Sequence, residues 1–226
     1  MDRKREERRS RLLDVAEKMI AAKGIEGMTM EEVARAADVA AGTTYLHFKN
    51  KNALCAAVLA RIVKQAAAAE AEAAESCETG SEKLLAYRKA LAGFSARHPE
   101  KREVMRQLRR IDFDEEDADA RELISEYNRV AQLVAGFYHE GIEEGTIRPG
   151  LDPVPAAIFL QLALTTASDL PKWLIAVLRM NDVDPGRWAN VTDDLLTAAT
   201  HAPRRKDPAE SDIRPGHAKR KRRSAG

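Results

Sequence analysis

The amino-acid sequence predicts an all-α fold, and three observations carry that expectation. Ala, Leu, Glu and Arg dominate the 226 residues while β-branched residues rarely cluster, a composition of helix formers. Apolar residues recur at steps of three and four along most of the chain, the spacing of one face of a helix. Residues that cap or stop helices, such as Thr29, Asn50, Pro99 and Gly145, stand between those stretches.

Taken in order, residues 8–23 set Leu12, Leu13, Ala16, Met19 and Ile20 on one face, with Gly24 suited to a left-handed C-cap. Thr29-Met30-Glu31-Glu32 has the form of a capping box: the Thr hydroxyl accepts from the Glu32 amide while the Glu32 carboxylate reaches back. It opens a short helix with Val33, Ala34 and Ala37 inward. Asp38-Val39 makes a tight turn, since Asp tolerates a left-handed backbone. A third helix is expected from about Ala41 to Phe48, burying Tyr45 partly and Leu46 or Phe48 fully. Asn50 caps a fourth, with Lys51 in its first turn and Leu54, Val58, Ile62 and Val63 inward. Its Ala-rich end, AAAAEAEAAE, reads as a connecting helix.

Beyond Thr79-Gly80, Ser81 is expected to cap a helix holding Leu84, Leu85, Tyr87, Leu91 and Phe94. Pro99 suits the first position of the next helix, over residues 100–110, with Val104, Met105, Leu108 and Ile111 on one side. The acidic run DFDEEDAD starts a long helix through Leu123, Tyr127, Val130, Val134, Phe137 or Tyr138 and Gly141, ending at Gly145. After a rigid turn over residues 149–155, residues 156–168 are apolar nearly all round, which implies burial on more than one side. Leu170-Pro171 should break the helix, with Asp169 as a candidate cap. Residues 172–180 and 187–200 form the last two helices, the latter with Trp188, Val191, Leu195 and Leu196 inward. From residue 203 onward, proline and charge cannot build a core, and a disordered basic tail is expected.

Net charge is +1 but unevenly placed. Residues 1–54 hold 11 basic against 9 acidic side chains, residues 55–202 hold 17 against 24, and residues 203–226 hold 9 against 3. An acidic body with basic ends suits a protein that meets a polyanion at one end. The two cysteines, Cys55 and Cys77, are far apart and lack metal-ligand spacing, which points to a reducing compartment. The N-terminus has no signal-like apolar core, and no run reads as long enough to span a bilayer. The protein is therefore expected in the cytoplasm.

The sequence contains no glycine-rich phosphate loop, no HExxH and no nucleophile elbow, and its five histidines are scattered. No catalytic residue, cofactor or metal site is assigned, and the chain does not read as an enzyme. What stands out is a helix–turn–helix over residues 30–49. Its second helix is short enough to lie in a DNA major groove. Ala40, Ala41, Gly42, Thr43 and Thr44 at its start allow close approach to base edges. Thr43 and Thr44 can bond bases or phosphates, Tyr45 and His47 can reach phosphate, and Lys51 adds a cation.

Residues 8–63 resemble the DNA-binding domain of the TetR family of bacterial transcriptional regulators. The resemblance is carried by Ala16, Gly24, Thr29-Met30-Glu31-Glu32-Val33-Ala34, Ala37, Val39, Gly42-Thr43-Thr44-Tyr45-Leu46-His47-Phe48 and Lys51-Asn52-Ala53-Leu54. It implies a homodimer of all-α subunits that reads a palindromic operator and releases it on binding a small effector. Thr29, Thr43, Tyr45, His47 and Lys51 would then meet phosphates, and Ala41, Gly42 and Thr44 would face bases. Asp38 and Ala40 depart from the glycine and serine often found in the family, and Ala40 cannot cap its helix.

The implied organisation is a DNA-binding domain over 7–67, an effector-binding and dimerisation domain over 68–202, and a basic tail over 203–226. Phe94, Met105, Leu108, Tyr127, Phe137 and Tyr138 are the candidate ligand contacts, suited to an apolar or aromatic effector. Residues 156–168 and 188–200 suit a dimer seam. Two other readings stay open: a helical protein-interaction scaffold, and a DNA binder that activates or ignores effectors. The operator, the effector and the regulated genes are not legible in the sequence.

Overall fold

The computed structural model describes residues 2–109, 111–167, 170–184 and 187–201. The expected basic tail, and Asp169 as a helix cap, lie outside them. The described residues form ten helices: α1 (Asp2–Lys23), α2 (Met30–Ala36), α3 (Ala41–His47), α4 (Lys51–Ala74), α5 (Gly80–Arg97), α6 (Pro99–Leu108), α7 (Ala118–Glu144), α8 (Pro153–Ala167), α9 (Lys172–Met180) and α10 (Trp188–Thr200). One antiparallel bridge, Ile147 to His201, is the β-type pairing among them.

Local chemistry sets most boundaries. Both halves of the Thr29 capping box form, with the Glu32 amide donating to Thr29 Oγ1 at 3.2 Å and the Thr29 amide donating to Glu32 Oε2 at 3.0 Å. Gly24 stops α1 at φ +79°, and Asp38 turns the chain between α2 and α3 at φ +54°. Asn50 Oδ1 accepts from the Ala53 amide at 2.8 Å and starts α4. Asp117 caps α7, and Gly145 ends it at φ +76°.

Three expectations need revision. The first helix begins at Asp2 rather than near residue 8, because its Arg- and Glu-rich start favours helix without needing an apolar stripe. Thr79, not Ser81, caps α5: Glu82 sits three residues after it and closes a second capping box. Gly80 is then the first helical residue, where a Cβ would meet the α7 backbone at 2.3 Å from both Phe137 O and Gly141 N. The Ala-rich end of α4 is no bare connector. It is the spine of the molecule, buried through Ala74 against α5 and α7, since small side chains let helix backbones come close.

Length also matters here. By length and composition, α4 is one helix that could cross a bilayer, although 67% of its apolar window is buried inside the protein. Its hydrophobicity is that of a core helix, not of a lipid-facing one.

The core runs without a break from α1 (Leu12, Ala16, Ile20) through Phe48 and Leu54 to Leu84, Val134 and Leu160. Side chains stitch the N-terminal helices to the rest. Gln107 of α6 accepts from the Ile25 amide at 3.1 Å. Arg9 lies 5.0 Å over the Phe48 ring and pairs with Asp119 of α7 at 2.5 Å. Lys49, just after α3, pairs with Asp114 at 3.0 Å and Asp117 at 3.2 Å. At the other end, buried Arg88 of α5 holds α10 through Thr197 and Asp193.

Among the last helices, burial is one-sided. In α8 only Ala157 and Leu160 are fully covered, while Ile158, Phe159 and Leu162 are exposed. In α10 Leu196 is buried, but Val191 and Leu195, expected inward, face out. Within a single chain, α8 and α10 each have one packed side, and the sequence pattern could not tell a second packed side from an outer apolar face.

Candidate nucleic-acid interface and a buried cavity

α3 has seven residues, too few to bury more than one edge. At about 100° per residue, Thr44 and Phe48 fall together and both are fully buried. Ala41, Gly42, Tyr45 and Leu46 point outward, and Thr43 and His47 lie half-buried between. The expectation that Thr44 faces bases is therefore wrong. Its side chain sits under the helix, and its Oγ1 has no hydrogen-bond partner. Leu46, which the sequence reading allowed as a buried residue, is instead 79% exposed. An exposed leucine beside Ala41 and Gly42 makes the outer face of α3 small and partly apolar, a surface fitted to a thymine methyl.

Two of the polar groups around α3, those of Tyr45 and Thr29, are held by internal partners. The Tyr45 hydroxyl donates to Glu31 Oε1 at 3.1 Å, and that bond pushes the phenol pKa up, with burial and the Glu31 charge adding to it. Thr29 is exposed but engaged in its capping box. Ala40 gives α3 no side-chain cap, as its chemistry requires. Lys51 sits half-buried at the start of α4.

His47 opens onto a groove shared with Arg3, Arg5, Glu6 and Arg9 of α1. Burial, then the charges of Arg5, Arg9 and Arg8, hold its pKa below the ordinary 6.5. The N-terminal arginines thus form a cationic flank beside α3. Sequence reading missed their place because their meaning depends on how far α1 extends and on where α3 packs. The run RKREERRSR was the available signal.

A second concave site lies deep in the body. α4, α5, α6, α7 and α8 line a half-open cavity of about 470 Å3, with exposed Ile124, Ile158 and Leu162 among its walls. Of the six candidate ligand contacts, Met105 and Tyr127 line it. Phe94, Leu108, Phe137 and Tyr138 do not: they are buried in the packing between helices. Aromatic residues at helical spacing are common to core and cavity walls alike, so the pattern could not separate them.

The cavity wall is mostly apolar, with Val63, Leu91, Val130 and Ile158 among its residues. Its polar groups are Glu70, Tyr87, Tyr127, Asn128, Gln161 and Thr165, with exposed Arg109 at the rim. Glu70 is 2% exposed, and burial alone raises its pKa from 4.5 to about 7. The Tyr87 hydroxyl is also pushed up, first by burial and then by Glu70. Sequence reading passed over Glu70 because it sits in an alanine-rich repeat read as a connecting helix. Among the described residues, no group of three or more His, Cys, Asp or Glu could hold a metal ion.

Comparison with known proteins bears on both sites. Residues 12–58 match the family described as bacterial regulatory proteins, tetR family. No curated protein sequence matches the chain. Among solved structures, a putative tetR family transcription regulator from Shewanella sp. PV-4 is similar at a TM-score of 0.64 and 15% identity, over 87% of this chain and 99% of that one. The transcriptional regulator FadR from Bacillus subtilis, in complex with stearoyl-CoA, gives 0.64 and 24%, over 85% and 99%. The ketosteroid transcriptional regulator KstR2 of Mycobacterium tuberculosis gives 0.56 and 19%, over 87% and 96%. The all-α architecture thus resembles that of the solved TetR-family regulators, and the family match covers the helix–turn–helix at the N-terminal end.

Proposed function

We propose that this chain, which carries a TetR-type DNA-binding domain over residues 12–58, is a homodimeric repressor released from a palindromic operator by a small effector. The observation that carries this reading is the exposed outer face of α3, beside the arginine-lined groove of α1. A short helix with small residues outward admits close approach to base edges, while flanking cations and donors hold phosphates. Ala41, Gly42, Tyr45 and Leu46 read bases or their methyl groups. Thr29, Thr43, His47, Lys51, Arg3 and Arg5 position the backbone. Thr44 keeps α3 seated on its core.

Dimerisation is supported by the outer faces of α8 and α10, where Phe159 and Leu195 lie 63% and 66% exposed. Two-fold pairing of such a face is self-complementary and sets two reading heads on one duplex. The cavity is the effector site in this reading, and its apolar wall suits an apolar or aromatic body. The protein acts in the cytoplasm, and its division into head and body follows the contacts of α4 with both.

Selection from a random duplex library with the purified protein tests the reading. The expected product is an inverted repeat, bound with an affinity that falls steeply with salt and lost in Tyr45→Ala and Leu46→Ala variants that remain folded. Selection of no sequence, or of one that both variants bind equally well, overturns it. Sedimentation is expected to give a dimer for the wild type and a monomer for Phe159→Glu.

A further inference from the structure

The buried cavity is asymmetric in charge, and that asymmetry limits what can fill it. Glu70 projects from α4 into an otherwise apolar space and makes no hydrogen bond or ion pair among the described residues. A carboxylate so placed has lost its water without gaining a donor, a costly arrangement unless something else supplies the partner. Of the other polar residues lining the space, Tyr87 feels the Glu70 charge, and Tyr127, Asn128, Gln161, Thr165 and exposed Arg109 complete the set. Both tyrosines also bring aromatic rings to the wall, and ring faces attract cations.

We propose that the cavity binds a hydrophobic amine in its cationic form, with the ammonium group on the Glu70 carboxylate, the tyrosine rings beside it, and the apolar body against Val63, Val130 and Ile158. This names the effector class of the regulatory reading and rests on it only in calling the ligand an effector. Pairing with the cation stabilises the ionised carboxylate, so binding at neutral pH drives a proton off Glu70. An anion of the same size would meet the carboxylate's repulsion inside and find, among the described lining residues, one cation, the exposed Arg109.

The test is calorimetric titration of the full-length protein with decylammonium, decanol and decanoate at about pH 7, where Glu70 is about half protonated. Decylammonium is expected to bind roughly tenfold or more tightly than decanol, about 1.4 kcal/mol per factor of ten, and decanoate the most weakly. Glu70→Gln preserves the shape of the side chain. It should abolish the preference for the cation while leaving decanol within about twofold. Ile158→Trp, which fills the cavity, should weaken all three. Release of protons on decylammonium binding, read from titrations in buffers of different ionisation enthalpy, is expected in the wild type and absent in Glu70→Gln. Preference for decanoate, no binding of decylammonium, or a cation preference that survives in Glu70→Gln overturns the proposal. Operator binding is measured separately on the same wild-type sample. A protein that selects no DNA but binds decylammonium through Glu70 keeps the cavity proposal and loses the regulatory one.

Discussion

The two candidate sites are built on opposite principles. The reading head is a surface: α3 presents Ala41, Gly42, Tyr45 and Leu46 outward, and the Tyr45 hydroxyl is already matched to Glu31 as Thr29 beside it is to Glu32. The cavity is a hollow: five helices meet around one carboxyl that no described residue pairs with. The first can bind by exchanging weak internal bonds for external ones. The second holds an unmet need that a ligand answers. The difference teaches where stability and function compete: hardly at all at the head, and directly at Glu70.

The largest expected effect tests whether the two regions are separate at all. Phe48 is fully buried and supports Arg9, which in turn pairs with Asp119 of α7. Phe48→Ala should cost about 3–5 kcal/mol of stability. Because α4 runs through both regions, urea unfolding is expected to stay a single transition that carries cavity and head together. Two separated transitions would break the comparison into two independent domains.

Glu70 sharpens the competition. Its pKa in the folded protein, about 7, lies above its ordinary 4.5, so the folded state holds the proton more tightly than the unfolded one. Its favourable contribution is fully present below pH 4.5 and is lost as pH rises through about 7. Glu70→Gln should therefore stabilise the protein by up to about 3 kcal/mol at pH 8, with the gain fading toward pH 4.5. Thermal melting across that range checks it. A flat difference between the proteins would mean that Glu70 is not strained in the folded state.

At the head, Tyr45→Phe deletes a hydroxyl whose partner is the exposed Glu31. Melting temperature should hardly move, while operator affinity should fall roughly tenfold as one DNA contact is lost. A mutant that melts early but binds normally would make Tyr45 a structural residue.

The smallest effect belongs to His47. Burial and the α1 arginines keep it deprotonated more readily than usual, and a phosphate arriving beside it favours the protonated form. Operator binding should strengthen a few-fold as pH falls from about 8 to about 6, and His47→Gln should flatten the profile in gel-shift titrations.

How much of this was legible in advance varies with the range of the interactions involved. Thr29 with Glu32, Asp38 in its turn, Asn50 at its cap and Gly145 at its stop act over three or four residues, and each could be read directly. The N-cap of α5 was misplaced by two residues because Ser81 also has capping chemistry, and Glu82 had to decide for Thr79. Thr44 was misread because adjacent threonines look alike in a string, while a helix sends them about 100° apart. The cavity was legible only in part: Met105 and Tyr127 were anticipated, but Glu70 and Gln161 were not.

By itself, the sequence determined the helical class and the helix–turn–helix with its caps, because periodicity and capping are local chemistry. Only the tertiary structure decided which threonine is buried, that the N-terminal arginines flank α3, and that Glu70 of an alanine-rich helix ends in an apolar cavity. Those outcomes depend on side chains brought together from helices far apart in the chain. Burial, which gives a carboxyl or a leucine its meaning, is a property of the packed molecule.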